Sequence, residues 1–428
     1  MRLTVRQVKR LEGSLKVPGD KSISHRAVLL GSIAQGITRI SGFLQSEDCL
    51  STIHCCRQLG ISIELDEDLV TVEGKGLFGL QEPEDVLDVG NSGTTMRLLL
   101  GILAGQGFTA FLSGDRSIRR RPMGRVTRPL QEMGATIMGR NKGNLPPLAI
   151  RGGRLQAINY QSPVASAQVK SALLLAGLYA DGWTGISEPH LSRNHTELML
   201  NAFGAEIESE GNTVRVKGFP ELTGQDVLVP GDISSAAFFL VAGAIAPEAR
   251  IEISSVGLNP TRDGIIQVLK EMGAEIKITD LQEVAGETIG TVTVESSSLR
   301  GVTVSGELIP RLIDEIPVLA VAAAYADGVT EIRDAAELKV KESNRIMTIA
   351  EGLSRLGARV EELPDGMRIY GGYPLRGQGC RSYHDHRIAM SLAVAGLLAQ
   401  GETVIEEAEA MAVSFPQFAE VLEQLRKE

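Results

Sequence analysis

Six times along the chain a short polar segment opens into an apolar run of helical length, followed by a turn and a short alternating strand. The runs start at GDKSISHRAVLL, GNSGTTMRLLL, SAQVKSALLLAGL, GDISSAAFFLVAGA, DEIPVLAVAAAYA and DHRIAMSLAVAGLLA, roughly 70 residues apart. A helix with one wet face repeats its apolar positions every three to four residues. In LLLAGLYA, VLAVAAAYA and LAVAGLLA apolar residues cover every side, which predicts helices enclosed by protein. A second helix follows in each repeat and stops at a glycine before the next strand, as in QLGISIE, EMGATIM, AFGAEIE, EMGAEIK and RLGARVE. Glycine suits the left-handed position just past a helix end. Further strands such as LVTVEG and TVRVKG complete a βαβαββ unit.

The sixth unit stops after its second helix, SFPQFAEVLEQLRKE, with no strand behind it. Two unassigned strands, RLTVRQ and GSLKV, open the chain, so the N-terminus is expected to complete the last unit. The six units then divide into two pseudo-threefold domains, 20–230 and 1–19 plus 231–428. The expected fold class is α/β: a two-domain inside-out α/β barrel, each domain three βαβαββ units with buried helices and outer sheets.

Composition narrows the function. With 43% apolar and 22% charged residues, the 428-residue chain has an ordinary globular balance. Its net charge of −10 and 4% aromatic content argue against a nucleic-acid or membrane-surface binder. Cys49, Cys55, Cys56 and Cys380 make no zinc or CxxC spacing. MRLTVRQVKR lacks the apolar core of a signal peptide, and the longest apolar runs fall short of the ~18–20 residues that span a bilayer. A cytoplasmic location is expected.

Against that acidic background, cations gather at the starts of the apolar helices and in the loops beside them. Lys21 and Arg26 flank Ser22 in the first unit, where Asp20, Ser22 or Ser24 can cap the helix. The second unit carries Asn91, Gly93, Thr94 and Arg97, then Arg119, Arg120, Arg121 and Arg125. The third has Ser166, Gln168, Lys170 and Arg193; the fifth has Asp314, Glu315, Lys339, Lys341, Glu342 and Arg345; the sixth has Arg387. Any one of these reads as a solvated helix start. Together they suggest an anionic ligand, because helix N-termini, lysine and the guanidinium fork all favour phosphate and carboxylate. No GxxxxGK[ST] or GxGxxG follows a strand, so neither ATP nor a dinucleotide is indicated. His384 and His386 lack a third ligand at metal spacing, and no metal is expected.

GDKSISHR, GNSGTTMR, RRPMGR, SAQVKSALLLAGL, DEIPVLAVAA, LKVKESNRI and DHRIAM, in this order over the whole chain, resemble the 5-enolpyruvylshikimate-3-phosphate synthase family. The resemblance implies two domains of three βαβαββ units with inward-facing helices and an active site in the cleft between them, closing on its ligands. It implies transfer of the enolpyruvyl group of phosphoenolpyruvate to shikimate 3-phosphate, with release of phosphate, no cofactor and no metal. By the same resemblance Lys21, Gly93, Arg121, Gln168, Arg345 and Arg387 bind phosphoenolpyruvate. Lys21, Ser22, Arg26, Ser166, Gln168, Arg193, Asp314 and Lys341 bind shikimate 3-phosphate. Asp314 is expected as the base, Glu342 as the acid, and Lys21 as a participant in proton transfer. These small molecules are the expected partners of a monomer. Two positions depart from some family members: Val413 stands where a lysine can precede the SFP segment, and Arg193 where a tyrosine occurs. The sister UDP-N-acetylglucosamine enolpyruvyl transferases are the alternative, although their loop cysteine or aspartate is matched here only by Asp115.

Overall fold

The computed structural model describes residues 1–66, 68–284 and 286–427. All six apolar runs are helices, numbered here α1 (Lys21–Ile33), α2 (Gly93–Leu103), α3 (Ala167–Gly177), α4 (Ile233–Ile245), α5 (Ile316–Tyr325) and α6 (His386–Gly396). Local chemistry sets where they begin. Asp20 accepts from the Ile23 amide at 2.9 Å and caps α1, settling the choice among Asp20, Ser22 and Ser24. Ser92, Asp232 and Asp385 cap α2, α4 and α6 in the same way. Each such cap contributes about 1 kcal/mol.

Contacts divide the chain into two units. One comprises Gly19–Val229 with Val284–Glu287, and the other Met1–Pro18, Pro230–Glu283 and Thr288–Glu428. Each has its own apolar core, built on α1, α2 and α3 in the first and on α4, α5 and α6 in the second. Helices α4 and α5 are buried along almost their whole length, as their all-round apolarity requires. Helix α2 packs on α3 so closely that a Cβ on Gly101 would stand 2.2 Å from the Ala172 carbonyl oxygen. Only glycine permits that approach. In the other unit Phe238 and Phe239 of α4 pack on Phe415 and Phe418, with ring centroids 5.7 Å (Phe238–Phe418) and 5.9 Å (Phe239–Phe415) apart.

The sheets repeat one order. In the second repeat Leu87–Asp88 runs parallel to Thr109–Ser113, which pairs antiparallel with Leu145–Arg151 and so to Thr136–Gly139. The buried helix α2 lies in the chain between the two parallel strands. The third and fifth repeats follow the same plan.

Two strands are exchanged at the crossings. Arg10–Lys16 precedes α1 in the chain but pairs parallel with Arg250–Gly257, the strand after α4. Asp226–Leu228 precedes α4 yet pairs parallel with Gln35–Ser41, the strand after α1. This corrects the expectation that both N-terminal strands complete the sixth repeat. Arg2–Arg6 does so, antiparallel to Glu402–Glu406, whereas GSLKV supplies the first strand of the fourth. The sixth repeat also does not end in helix: Arg426–Lys427 forms a short strand on Arg10–Leu11. Alternation tells which face a strand buries but not which neighbour it chooses.

Candidate active site

In the unit of Gly19–Val229, the candidate residues sit at the N-terminal ends of α1, α2 and α3, with Arg121 and Arg193 in loops. Lys21 is the first residue of α1 and pairs with the buried carboxylate of Asp48. Arg26, one turn further on, is 4% exposed and faces inward. Its Nε donates to Thr196 Oγ1 at 2.6 Å, Nη2 to Ser171 Oγ at 2.7 Å and Nη1 to the Ser22 carbonyl at 2.8 Å. It therefore fastens Ser22 to the neighbouring helices.

Gly93 opens α2, and it does not take a positive φ; Gly90 does, at 55°. The tight turn before the helix thus belongs to Gly90, and Gly93 is small for a different reason. A Cβ placed there would lie 3.1 Å from Arg97 Nη1 and 3.2 Å from Arg121 Nη1. Two guanidinium groups converge on this helix start. Arg121 is steadied by Asn91, to which it donates at 2.9 Å. Arg97 donates to Gln168 Oε1, and Gln168 Nε2 to Thr94 Oγ1 at 3.0 Å, so Gln168 is fixed beside the same pair. The amides of a helix start, two arginines and a carboxamide make a ready anion site. Arg97 stands within it although the resemblance assigned it no role. Ser166 caps α3 through its backbone position, and its amide donates to Glu188 Oε1 at 2.7 Å. Arg193 follows Ser192 in the adjoining loop.

In the other unit, Asp314, Lys341, Glu342, Arg345 and Arg387 come together. Arg345 is 1% exposed and holds three carboxylates: Asp314 at 3.3 Å, Glu342 at 2.6 Å and Asp385 at 2.9 Å. Burial alone would weaken its charge, but Asp385, Glu342 and Asp314 together raise its pKa further. Burial likewise works against the Asp385 carboxylate, yet Arg345 beside it brings its pKa below the ordinary carboxylate range. Asp314 also meets Lys341 Nζ at 3.4 Å, and its carbonyl accepts from Arg387 Nη1 at 3.0 Å. Glu315, the residue before α5, makes no side-chain cap, and the Asp314 carboxylate is turned to cations instead. Arg262 completes a parallel arrangement that the sequence did not single out: 2% exposed, it holds Asp232 at 3.0 Å and Ser234 Oγ at 2.6 Å. Among the described residues no group of His, Cys, Asp and Glu has the arrangement of a metal site. His384 is largely exposed while His386 is buried, so the two do not act as a pair.

Comparison with known proteins is decisive for the family. A model described as EPSP synthase (3-phosphoshikimate 1-carboxyvinyltransferase) matches residues 5–422. The chain belongs to the EPSP synthase family. It is a transferase of the enolpyruvyl type. A protein from Desulforamulus reducens named 3-phosphoshikimate 1-carboxyvinyltransferase is 58% identical over 426 residues, 99% of each chain. One of the same name from Bacillus thuringiensis is 58% identical over 97% of each. Among solved structures, an EPSP synthase from Acinetobacter baumannii superimposes with a TM-score of 0.88 at 43% identity, covering 99% of this chain and 98% of its own. The enolpyruvyl transferase NikO from Streptomyces tendae shares the fold, with a TM-score of 0.78 at 20% identity, covering 99% of this chain and 97% of its own. The α/β class read from the repeats agrees with these relatives.

Proposed function

We propose that the protein transfers the enolpyruvyl group of phosphoenolpyruvate to the 5-hydroxyl of shikimate 3-phosphate and releases phosphate. The observation that carries this reading beyond family membership is the gathering of Asp314 and Glu342 around Lys341, Arg345 and Arg387. The reaction joins two polyanions and moves protons at two points. Two carboxylates among fixed cations supply what that requires: proton transfer, with the reactants' charge neutralised in place.

In this reading Asp314 accepts the proton of the ring hydroxyl as its oxygen bonds to C2 of phosphoenolpyruvate. Glu342 delivers a proton to the methylene carbon, which becomes a methyl group. The resulting tetrahedral adduct then loses phosphate from C2 and a proton from the methyl group, restoring the double bond. Lys21 shares in this proton traffic. Lys21, Gly93, Arg121, Gln168, Arg345 and Arg387 take phosphoenolpyruvate, the helix start at Gly93 receiving an anionic group between Arg97 and Arg121. Lys21, Ser22, Arg26, Ser166, Gln168, Arg193, Asp314 and Lys341 take shikimate 3-phosphate, Arg26 acting through Ser22 as well as by its charge. The protein works as a cytoplasmic monomer, in keeping with four free, buried cysteines. No helix among the described residues is long and apolar enough to cross a membrane.

The test is phosphate release by chelator-treated protein. Shikimate 3-phosphate with phosphoenolpyruvate should give stoichiometric phosphate, and UDP-N-acetylglucosamine in place of the first should give none. Folded protein that releases no phosphate with the first pair would overturn the reading.

A further inference from the structure

A buried lysine on α3 has no part in the reaction as described above. Lys170 is 3% exposed, and burying an ammonium is costly unless its charge and hydrogen bonds are met. Here they are met by Glu188 Oε2 at 3.1 Å, Glu197 Oε1 at 2.8 Å and the Ser192 carbonyl at 3.1 Å. Both carboxylates are themselves buried. A buried triad of this kind is often no more stabilising than an apolar core of the same volume, which directs attention to what else its members hold.

Glu188 shows where. Its Oε1 accepts from the Ser166 amide at 2.7 Å, and its two oxygens accept from the Ser192 hydroxyl at 2.9 Å and 2.7 Å and from the Ser192 amide at 3.3 Å. One carboxylate thus ties the start of α3 to the loop that carries Arg193. Lys170, one turn along α3 from Ser166, fixes the orientation of that carboxylate through its other contacts. Beside this triad Ser171 and Thr196, the chain neighbours of Lys170 and Glu197, hydrogen-bond each other at 2.6 Å and both receive Arg26. Ser22, Arg26, Ser166 and Arg193 all hang on one buried polar frame.

We infer that Glu188 and Lys170 are positioning residues for the phosphate-bearing substrate: they set the separation of Ser166 and Arg193 without touching the ligand. The inference rests on the assignment of those two residues to shikimate 3-phosphate. It is also selective, because Gln168 on the same helix is anchored separately by Thr94 and Arg97 of α2. Loss of the Glu188 clamp should therefore loosen one substrate and leave the other.

Glu188→Gln keeps the size of the side chain but turns an amide donor toward the Ser192 groups and the Lys170 ammonium. Calorimetric titration of the full chain should show the Kd for shikimate 3-phosphate, without phosphoenolpyruvate, raised about tenfold. In steady-state kinetics its KM should rise in parallel, with kcat and the KM for phosphoenolpyruvate changed less than about threefold. Ser192→Ala removes only the hydroxyl and keeps every backbone contact. It should move the same Kd about threefold, and it serves where Glu188→Gln does not fold. Wild-type affinity for shikimate 3-phosphate in both folded variants, or equal loss for the two substrates, would overturn the positioning role alone. Wild-type protein that does not bind shikimate 3-phosphate would overturn the substrate reading beneath it.

Discussion

Arg345 and Asp314 meet at 3.3 Å, and the same guanidinium holds Glu342 at 2.6 Å. One buried cation therefore fixes both carboxylates proposed for proton transfer. Its third partner, Asp385, caps α6 through the Arg387 amide at 3.0 Å. The candidate acid, the candidate base and a helix start are thus referred to one rigid planar group. A lysine in its place would supply charge but not that geometry.

Asp314→Asn should separate chemistry from binding. The amide keeps the size of the carboxylate and an acceptor for Lys341, but it cannot take the hydroxyl proton. We expect kcat to fall about 100-fold or more, with the KM of each substrate within about threefold. Steady-state kinetics with both substrates varied would show this. Equal losses in kcat/KM and in ligand affinity would make Asp314 a binding group only.

Asp385→Asn tests the linchpin itself. The carboxylate is fully buried and meets Arg345 Nε, the Ser343 hydroxyl and the Arg387 amide. Removing one member of a buried pair costs about 3–5 kcal/mol. Because Arg345 lowers the folded-state pKa of Asp385 against the effect of burial, its contribution is fully present above the ordinary carboxylate pKa of about 3.9. It is lost as pH falls below that, through the folded value. Urea denaturation should therefore show a large wild-type advantage at pH 7 that narrows below about pH 4. A gap independent of pH would mean that packing, not charge, accounts for it.

How far the sequence reveals this arrangement depends on whether the information is local. The buried helices are legible because all-round apolarity has one physical outcome, and the Asp20 cap because its partner lies three residues away. The partner of Arg10–Lys16 is not legible, since alternation does not tell whether the strand joins the fourth repeat or the sixth. Buried charge is hidden for the same reason. Lys170, Arg262 and Glu188 look like solvated residues until distant partners close around them. Nor does the place of Arg26 at a helix start reveal that its guanidinium is fastened to Thr196 and Ser171, 170 and 145 residues away. Gly93 is the opposite case: the residue is conspicuous, and only the two nearby arginines explain it.

A second pH effect comes from His25. Its Nδ1 meets Thr52 Oγ1 at 2.6 Å, and Thr52 continues through Thr95 Oγ1, at 2.7 Å, to Ser92 Oγ. Nε2 is buried with no hydrogen-bond partner among the described residues. Burial, aided by the positive charge of Lys21 and Arg26, lowers the His25 pKa to about 3, from 6.5. The unfolded chain then binds a proton that the folded chain refuses, so stability falls as pH drops from about 6.5 toward about 3. The slope attributable to this one group is at most about 1.4 kcal/mol per pH unit. His25→Gln should flatten the dependence of unfolding free energy on pH between 4 and 6 (an assay range of roughly two units). Parallel wild-type and variant curves would show that His25 does not refuse the proton.

Gly93→Ala bears on discrimination between two ligands of the phosphoenolpyruvate site. The added methyl would come within 3.1 Å of Arg97 Nη1 and 3.2 Å of Arg121 Nη1, tighter than ordinary van der Waals contact. Both neighbours are the ends of flexible side chains, so the helix can keep its shape while the guanidinium groups give way by a few tenths of an ångström. No positive φ stands in the way of alanine. The variant should therefore fold, with its cost falling on the anion that Arg121 is proposed to hold. Glyphosate, which the family resemblance implies as a ligand of this pocket, is longer than phosphoenolpyruvate, so the same methyl should cost it more. Overpacking of this kind costs about 1–3 kcal/mol, or roughly tenfold in affinity for each 1.4 kcal/mol. We expect the inhibition constant for glyphosate to rise by a larger factor than the KM for phosphoenolpyruvate, in a variant whose thermal midpoint is close to wild type. Val413 stands where the resemblance allows a lysine, so the ratio of the two factors, not the sensitivity of the parent protein, is the quantity to measure. Equal factors would show that the methyl does not distinguish the ligands. A collapse in thermal stability would show that the space at Gly93 is needed for folding rather than for the ligand.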